Sequence, residues 1–249
     1  MTILNSLYMR RQVTSYVMLF IERDGSTYLA SLLASHPDIL GLNERFGMMR
    51  QKGLGAKEQL DWARSFFTPA LIGRVAAVGF KTKIVDVLDR EGFAQLLTEK
   101  RCHIIRMRRR NRVKAVVSRI NARRLYEASG KWNLYKVEDR QPPMTIDPGE
   151  FDAYLKERES ADAQLENYVR HLGLPTLKIF YEDLMLDPDA VLRSVCAFLR
   201  VKPHPLVGKT LKHTSDNLRD VVLNFDELRG RYLGEYEAMF DEVLARPVA

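Results

Sequence analysis

Two stretches of the chain hold residues whose types and spacing could do chemistry. The first is Arg23-Asp24-Gly25-Ser26-Thr27-Tyr28, which follows the apolar run Tyr16–Ile21 and precedes a helical pattern carrying Leu29, Leu32 and Leu33 on one side. A strand, a short glycine-bearing loop and a helix direct backbone N–H groups and the positive end of a helix at one point, which is how phosphate is cradled. Ser26 and Thr27 add two hydroxyls, and Arg23 adds a guanidinium. The GxxxxGK[ST] pattern is absent, so ATP chemistry of the Walker kind loses its main support. On this loop alone, a plain strand–turn–helix capped by Ser26 accounts for the residues equally well.

The second stretch runs from Arg106 to Arg124 and is dense in Arg and Lys. One reading is a nucleic-acid surface; another is a solvated basic helix face. Arg110 ends a strand and Ser118 lies in the following helix, separated by roughly 12 Å along its axis if the helix starts at Asn111. A long Arg side chain leaning along that helix could meet the Ser hydroxyl at one phosphate.

These stretches need elements to hold them. Apolar runs at 15–21, 75–81, 102–107 and 176–181 read as strands. They alternate with helical patterns at 26–35, 57–67, 89–100, 111–128, 150–172 and 187–200, with more helix at 226–245. Such alternation predicts an α/β fold with a central parallel sheet in one domain spanning 1–249. The segment 36–55 reads as an irregular loop over the site. Residues 125–150, with Gly, Pro-Pro and Asp-Pro-Gly inside 129–150, read as an excursion within the domain.

The net charge of +7 suits a polyanionic ligand without naming one. Cys102 and Cys196 lie far apart in apolar runs and read as buried thiols of a reducing compartment. No zinc pattern, signal-peptide core or run of about 20 apolar residues is visible, which predicts a cytoplasmic chain without a membrane span.

Taken together, strand–RxGST–helix and the later strand–R(x)7SR–helix resemble the sulfotransferases that use 3′-phosphoadenosine 5′-phosphosulfate (PAPS). LLASHPDI, VGFKTK, Phe180-Tyr181-Glu182-Asp183-Leu184 with Asp187-Pro188, and Cys196-Ala197-Phe198-Leu199 add to the likeness, which covers about residues 15–240. The RRNxVK spelling, Lys131-Trp132-Asn133 and TSDNLRDVVLNFDEL are most similar to bacterial carbohydrate sulfotransferases of the trehalose and nodulation-factor type. The resemblance implies a fold like that of P-loop nucleotide kinases, and transfer of a sulfuryl group from PAPS to a carbohydrate or glycolipid hydroxyl, releasing PAP. It further implies that Arg23, Asp24, Gly25, Ser26, Thr27 and Tyr28 surround the 5′-phosphosulfate, and that Arg110 and Ser118 hold the 3′-phosphate. Glu44, twenty-one residues after Arg23, matches the family's base; read by itself it is a solvated loop glutamate or a partner of Arg45. His36 is the rival base, although His-Pro-Asp reads as a turn, and His103 reads as a packed strand residue. Arg23 would neutralise charge on the leaving oxygen, and Lys81 either faces the site or snorkels at its strand end. No metal is expected, because fixed cations and amides can stabilise the sulfuryl group's modest charge. Asp24 stands where Ser or Thr is common and could cap an amide. Lys209, Lys212, Thr214 and Ser215 are candidates for closing over the nucleotide, and Trp132 and Tyr135 for stacking on a sugar. The alternatives are a basic nucleic-acid-binding α/β module without catalysis, or a sulfotransferase acting on a non-carbohydrate small molecule.

Overall fold

A computed structural model describes residues 13–68, 75–134, 136–208 and 215–244. Its strands are β1 (Thr14–Leu19), β2 (Ile39–Leu42), β3 (Ala77–Thr82), β4 (His103–Arg108) and β5 (Thr176–Phe180). They form one five-stranded sheet in the order β2-β3-β1-β4-β5, with every pair parallel. The helices are α1 (Ser26–Leu33), α2 (Arg45–Gln51), α3 (Ala56–Phe66), α4 (Arg90–Glu99), α5 (Arg112–Ser129), α6 (Pro148–Leu172), α7 (Tyr181–Leu186), α8 (Pro188–Phe198), α9 (Phe225–Arg231) and α10 (Glu235–Asp241).

All six residues of β1 are buried, Thr14 and Ser15 included, and the apolar run that begins at Tyr16 suits a central parallel strand covered on both faces. Alternate side chains feed two cores: Tyr16, Met18 and Phe20 pack with Leu29, Leu33 and Val195, while Val17, Leu19 and Ile21 pack with Phe46, Phe80, Phe93 and Leu165. A third cluster, including Val116, Ile120, Phe151, Leu228 and Phe240, joins α5 and α6 to the C-terminal helices. Because β3 and β4 flank β1, the chain leaves β1 in one direction and later crosses to its other side. The crevice outside the carboxyl ends of β3, β1 and β4 is therefore a topological switch point, where open α/β sheets take ligands.

Segment 36–55, expected to be a loop, contains β2 and α2. β2 is an edge strand that pairs only with β3 and exposes Leu40 and Leu42, so its apolar pattern carried no strong period. Gly41 interrupts that run for a packing reason: a Cβ there would come within 2.9 Å of the Tyr16 hydroxyl. The helix expected over 226–245 is split into α9 and α10, with Gly234 at φ 76° between them. α6 begins at Pro148 beneath an Asp147 cap, as the Asp-Pro pair allows. Between α5 and α6 the described residues of the excursion are irregular apart from a 3₁₀ turn at 137–139 and a bridge from Met144 to Val222. Tyr135, Lys209, Lys212 and Thr214 lie outside the described residues, as does the lead-in 1–12. Both cysteines are buried free thiols, and burial pushes Cys102 up to about 12. No helix among the described residues is long and apolar enough to cross a membrane.

Candidate active site

The carboxyl ends of β1, β3 and β4 open onto one cavity of about 850 Å³. The loop after β1 contributes Phe20, Glu22, Arg23, Gly25, Ser26, Thr27 and Tyr28; Lys83 follows β3, Arg109 follows β4, and α5 adds Ser118 and Arg119. The loop turns sharply enough that Arg23 (φ 68°) and Gly25 (φ 83°) both adopt left-handed backbone. Glycine is required at the second position twice over, since a Cβ there would also collide with the Tyr181 ring. Gly25 itself takes the N-cap position of α1 and Ser26 makes no cap bond, which leaves the hydroxyls of Ser26 and Thr27 for other partners.

Lys81 takes up those hydroxyls. Its Nζ, fully enclosed within β3, donates to Thr27 Oγ1 at 2.8 Å and Ser26 Oγ at 3.5 Å and forms an ion pair with Glu44 Oε1 at 3.1 Å. Lys83 approaches the other Glu44 oxygen at 3.9 Å. Burial holds the Lys81 ammonium below the usual lysine range, and Glu44 opposes that fall. Lys81 is therefore turned inward, joining the loop hydroxyls to Glu44, and is not a snorkelling strand-end residue. Glu44 sits at the N-cap of α2, half-exposed at the cavity wall.

Arg23 and Arg109 form the opposite wall. Arg23 Nε donates to Ser118 Oγ at 2.9 Å and Nη1 to the Trp132 carbonyl at 3.3 Å. Arg109 Nη1 donates to the Arg23 carbonyl at 3.4 Å, its guanidinium lies 4.8 Å from the Tyr181 ring centroid, and its buried Nε has no hydrogen-bond partner. Neither guanidinium has a carboxylate within salt-bridge distance among the described residues. Burial, reinforced by Arg109, pushes Arg23 down to about 10; Arg109 is lowered for the same first reason. A buried guanidinium and a half-buried one thus face one cavity with no carboxylate in salt-bridge range among the described residues, an arrangement that favours an anion between them.

The structure relocates two of the expected binding residues. Arg110 does not line the cavity: its guanidinium makes a bidentate pair with Asp183 at 2.6 and 2.7 Å and rests 3.9 Å from the Phe180 ring centroid. The backbone explains the swap. The turn after β4 is held by Glu182, whose carboxylate accepts from Arg110 and Asn111 N–H, so successive side chains diverge and Arg109 faces inward. Asp24 also points away from the cavity. Its fully buried carboxylate accepts from Ile21 N–H at 2.9 Å and pairs with Arg158 and, at 3.5 Å, Arg106. Asp162 closes the set, at 3.2 Å from Arg106 and 2.9 Å from Arg158. Two carboxylates and two guanidiniums balance there and anchor the loop from beneath, where Arg158 also donates to the Glu22 carbonyl.

His36 Nδ1 accepts from Asp38 N–H, which leaves Nε2 to donate to the Lys202 carbonyl at 2.8 Å, so this ring is a turn fastener. His103 is bonded to the Phe198 carbonyl and packed on its ring. Ser215 bonds Asp220 and the Asn217 N–H, away from the cavity. Gly208 does reach the cavity, against Tyr28. Trp132 lines it while stacking on Tyr126 at 4.3 Å. Most of the Arg106–Arg124 row is paired within the fold, as in Arg108–Glu166, Arg112–Glu159 and Arg123–Glu127. Arg109, read from sequence only as part of the basic row, and Lys83, the last residue of VGFKTK, were not assigned to the site, although each adjoins a strand end that was.

A parallel sheet in this order, with a cavity lined by cations and hydroxyls at its switch point, defines an α/β protein with its candidate ligand site at the carboxyl edge of the sheet. The sulfotransferase domain model matches residues 84–243, more than half of the chain. The chain belongs to that family, and is thereby a PAPS-dependent sulfotransferase. Nodulation protein H of Rhizobium tropici is 27% identical over 238 residues, covering 92% of this chain and 93% of that protein. Nodulation protein H of Rhizobium meliloti is 24% identical over 239 residues, covering 91% and 94%. A sulfotransferase structure from Alicyclobacillus acidocaldarius superposes with a TM-score of 0.50 at 18% identity, covering 91% of this chain and 95% of that one, which places the fold.

Proposed function

We propose that this cavity binds PAPS and that the chain transfers its sulfuryl group to a hydroxyl of a carbohydrate or glycolipid. The observation that carries the reading is the pair of guanidiniums of Arg23 and Arg109, which share a cavity with Ser26, Thr27 and Ser118 and have no carboxylate within salt-bridge distance among the described residues. Gly25, Ser26, Thr27 and Lys81 hold the 5′-phosphosulfate end, and Arg23 neutralises the bridging oxygen as it leaves. Ser118 and Arg109 hold the 3′-phosphate; Arg110 joins them only on release from Asp183. Tyr28 and Gly208 form part of the wall around the nucleotide.

Glu44 acts as the base. As the acceptor oxygen forms its bond to sulfur, the hydroxyl proton passes to Glu44 and the electron pair of the breaking S–O bond stays on the phosphate of PAP. Lys81, 3.1 Å from Glu44 and 2.8 Å from Thr27, holds the carboxylate in line with the transferring group. Similarity to the nodulation proteins supports a carbohydrate acceptor. Replacing Glu44 by Gln tests the assignment. The variant should retain thermal stabilisation by PAP while transfer falls by about 10²- to 10⁴-fold; full activity would remove Glu44 as the base.

A further inference from the structure

A second cavity of about 340 Å³ adjoins the first and shares Phe20, Glu22, Lys83 and Arg119 with it. Its floor is apolar, from Ile21, Ile84, Ala115, Val116 and Ala161, with Val85 at its mouth. Glu157 and Gln164 of α6 stand at its rim. Each of its cations, unlike Arg23 and Arg109 of the nucleotide cavity, has a carboxylate. Arg119 pairs with Glu157 at 2.7 Å and Glu22 at 3.6 Å, Arg158 with Asp162 at 2.9 Å, and Lys83 with Asp86 at 3.6 Å. Arg119 also covers the Tyr154 ring at 4.1 Å, so that aromatic face is already taken.

We propose that this second cavity is the acceptor subsite, and that it takes an uncharged, polyhydroxylated ring with one apolar face. The proposal rests on the nucleotide reading above. An acceptor seated there lies across Phe20 and Lys83 from the phosphate loop, and Lys83 also contacts Glu44, so a hydroxyl at the shared wall is presented to the base. The apolar floor matches the C–H face of a sugar ring, while Glu22, Glu157 and Gln164 supply hydrogen-bond acceptors and a donor at the rim. An anionic acceptor would meet two carboxylates and no cation free of one. Selection against acidic rings is thus built into the ion pairs.

The test uses the full-length protein, PAPS, and two acceptor pools read by mass spectrometry: neutral oligosaccharides (chitooligosaccharides, trehalose, maltose) and uronic-acid oligosaccharides. Neutral sugars should be sulfated in preference to acidic ones. Ala161→Trp, which fills the floor, and Val85→Trp, which narrows the exposed mouth, should each raise KM for the best acceptor roughly tenfold or more, consistent with loss of ring contacts worth about 1.4 kcal/mol. Both should leave the thermal shift with PAP unchanged. Preference for acidic sugars, transfer to neither pool, or an unaltered KM in both folded variants would overturn the subsite. If wild type gave no shift with PAP, the nucleotide reading would fall instead.

Discussion

Asp24 sits one residue from Arg23 and one from Gly25, yet it works from behind the loop, and replacing it by Asn tests that placement. In the fold its charge balances Arg158 and Arg106 within a set completed by Asp162, all of them buried. Asn keeps the size and the bond from Ile21 N–H but leaves two guanidiniums facing one carboxylate. Breaking a buried pair in this way costs about 3–5 kcal/mol. For a chain of 249 residues, the unfolding entropy of about 2.1 cal/mol/K per residue converts that cost into a melting point lower by roughly 6–10 °C. The assay is thermal unfolding followed by circular dichroism, with and without PAP. PAP should stabilise the variant less than wild type, because Asp24 and Arg158 fix the loop at Ile21 and Glu22. A melting point within about 2 °C of wild type, well under the cost expected for a broken buried pair, would refute the claim that Asp24 anchors the cradle.

Two further outcomes follow from the site. Arg109→Gln should weaken PAP binding by about 1.5–3 kcal/mol, the value of a charge-assisted hydrogen bond, whereas Arg110→Gln should cost distinctly less; calorimetry giving the reverse order would return the 3′-phosphate to Arg110. Lys81 provides the pH dependence. Burial lowers its pKa in the fold, so the unfolded chain holds this proton more tightly, and the residue's contribution to stability increases as pH rises from the depressed value to the ordinary lysine value. Over that window PAP affinity should fall, because the anion needs the ammonium. Glu44 opposes the depression, so in Glu44→Gln the fall should begin at lower pH than in wild type. Superimposable binding profiles would contradict the coupling.

The sequence carried the central strand, its loop and α1 plainly, because a strand buried on both faces leaves an unbroken apolar run and the turn after it demands glycine at Gly25. It carried Glu44 and Lys81 as well, but as separate residues; their contact depends on β3 lying beside β1 with Met18 opposite Lys81. The edge strand β2 was hidden, since one-sided pairing leaves Leu40 and Leu42 exposed and Gly41 is dictated by a tyrosine from another strand. The choice between Arg109 and Arg110 was equally invisible. It depends on Glu182, more than seventy residues away, which grips the backbone after β4 and sets which side chain turns inward. Asp24 looked like part of the cradle because neighbours in sequence tend to be counted as neighbours in function, and only the arrival of Arg158 from α6 reveals its other face.

A PAPS site requires that one cavity hold two phosphates. Calorimetric titration of the wild-type protein with PAP and with 5′-AMP measures it, because the two ligands differ by the group assigned to Ser118 and Arg109. Two hydrogen bonds to a charged phosphate, at about 1.5–3 kcal/mol each, predict PAP binding at least ~100-fold tighter than AMP. Equal affinities, or binding of neither, would contradict it.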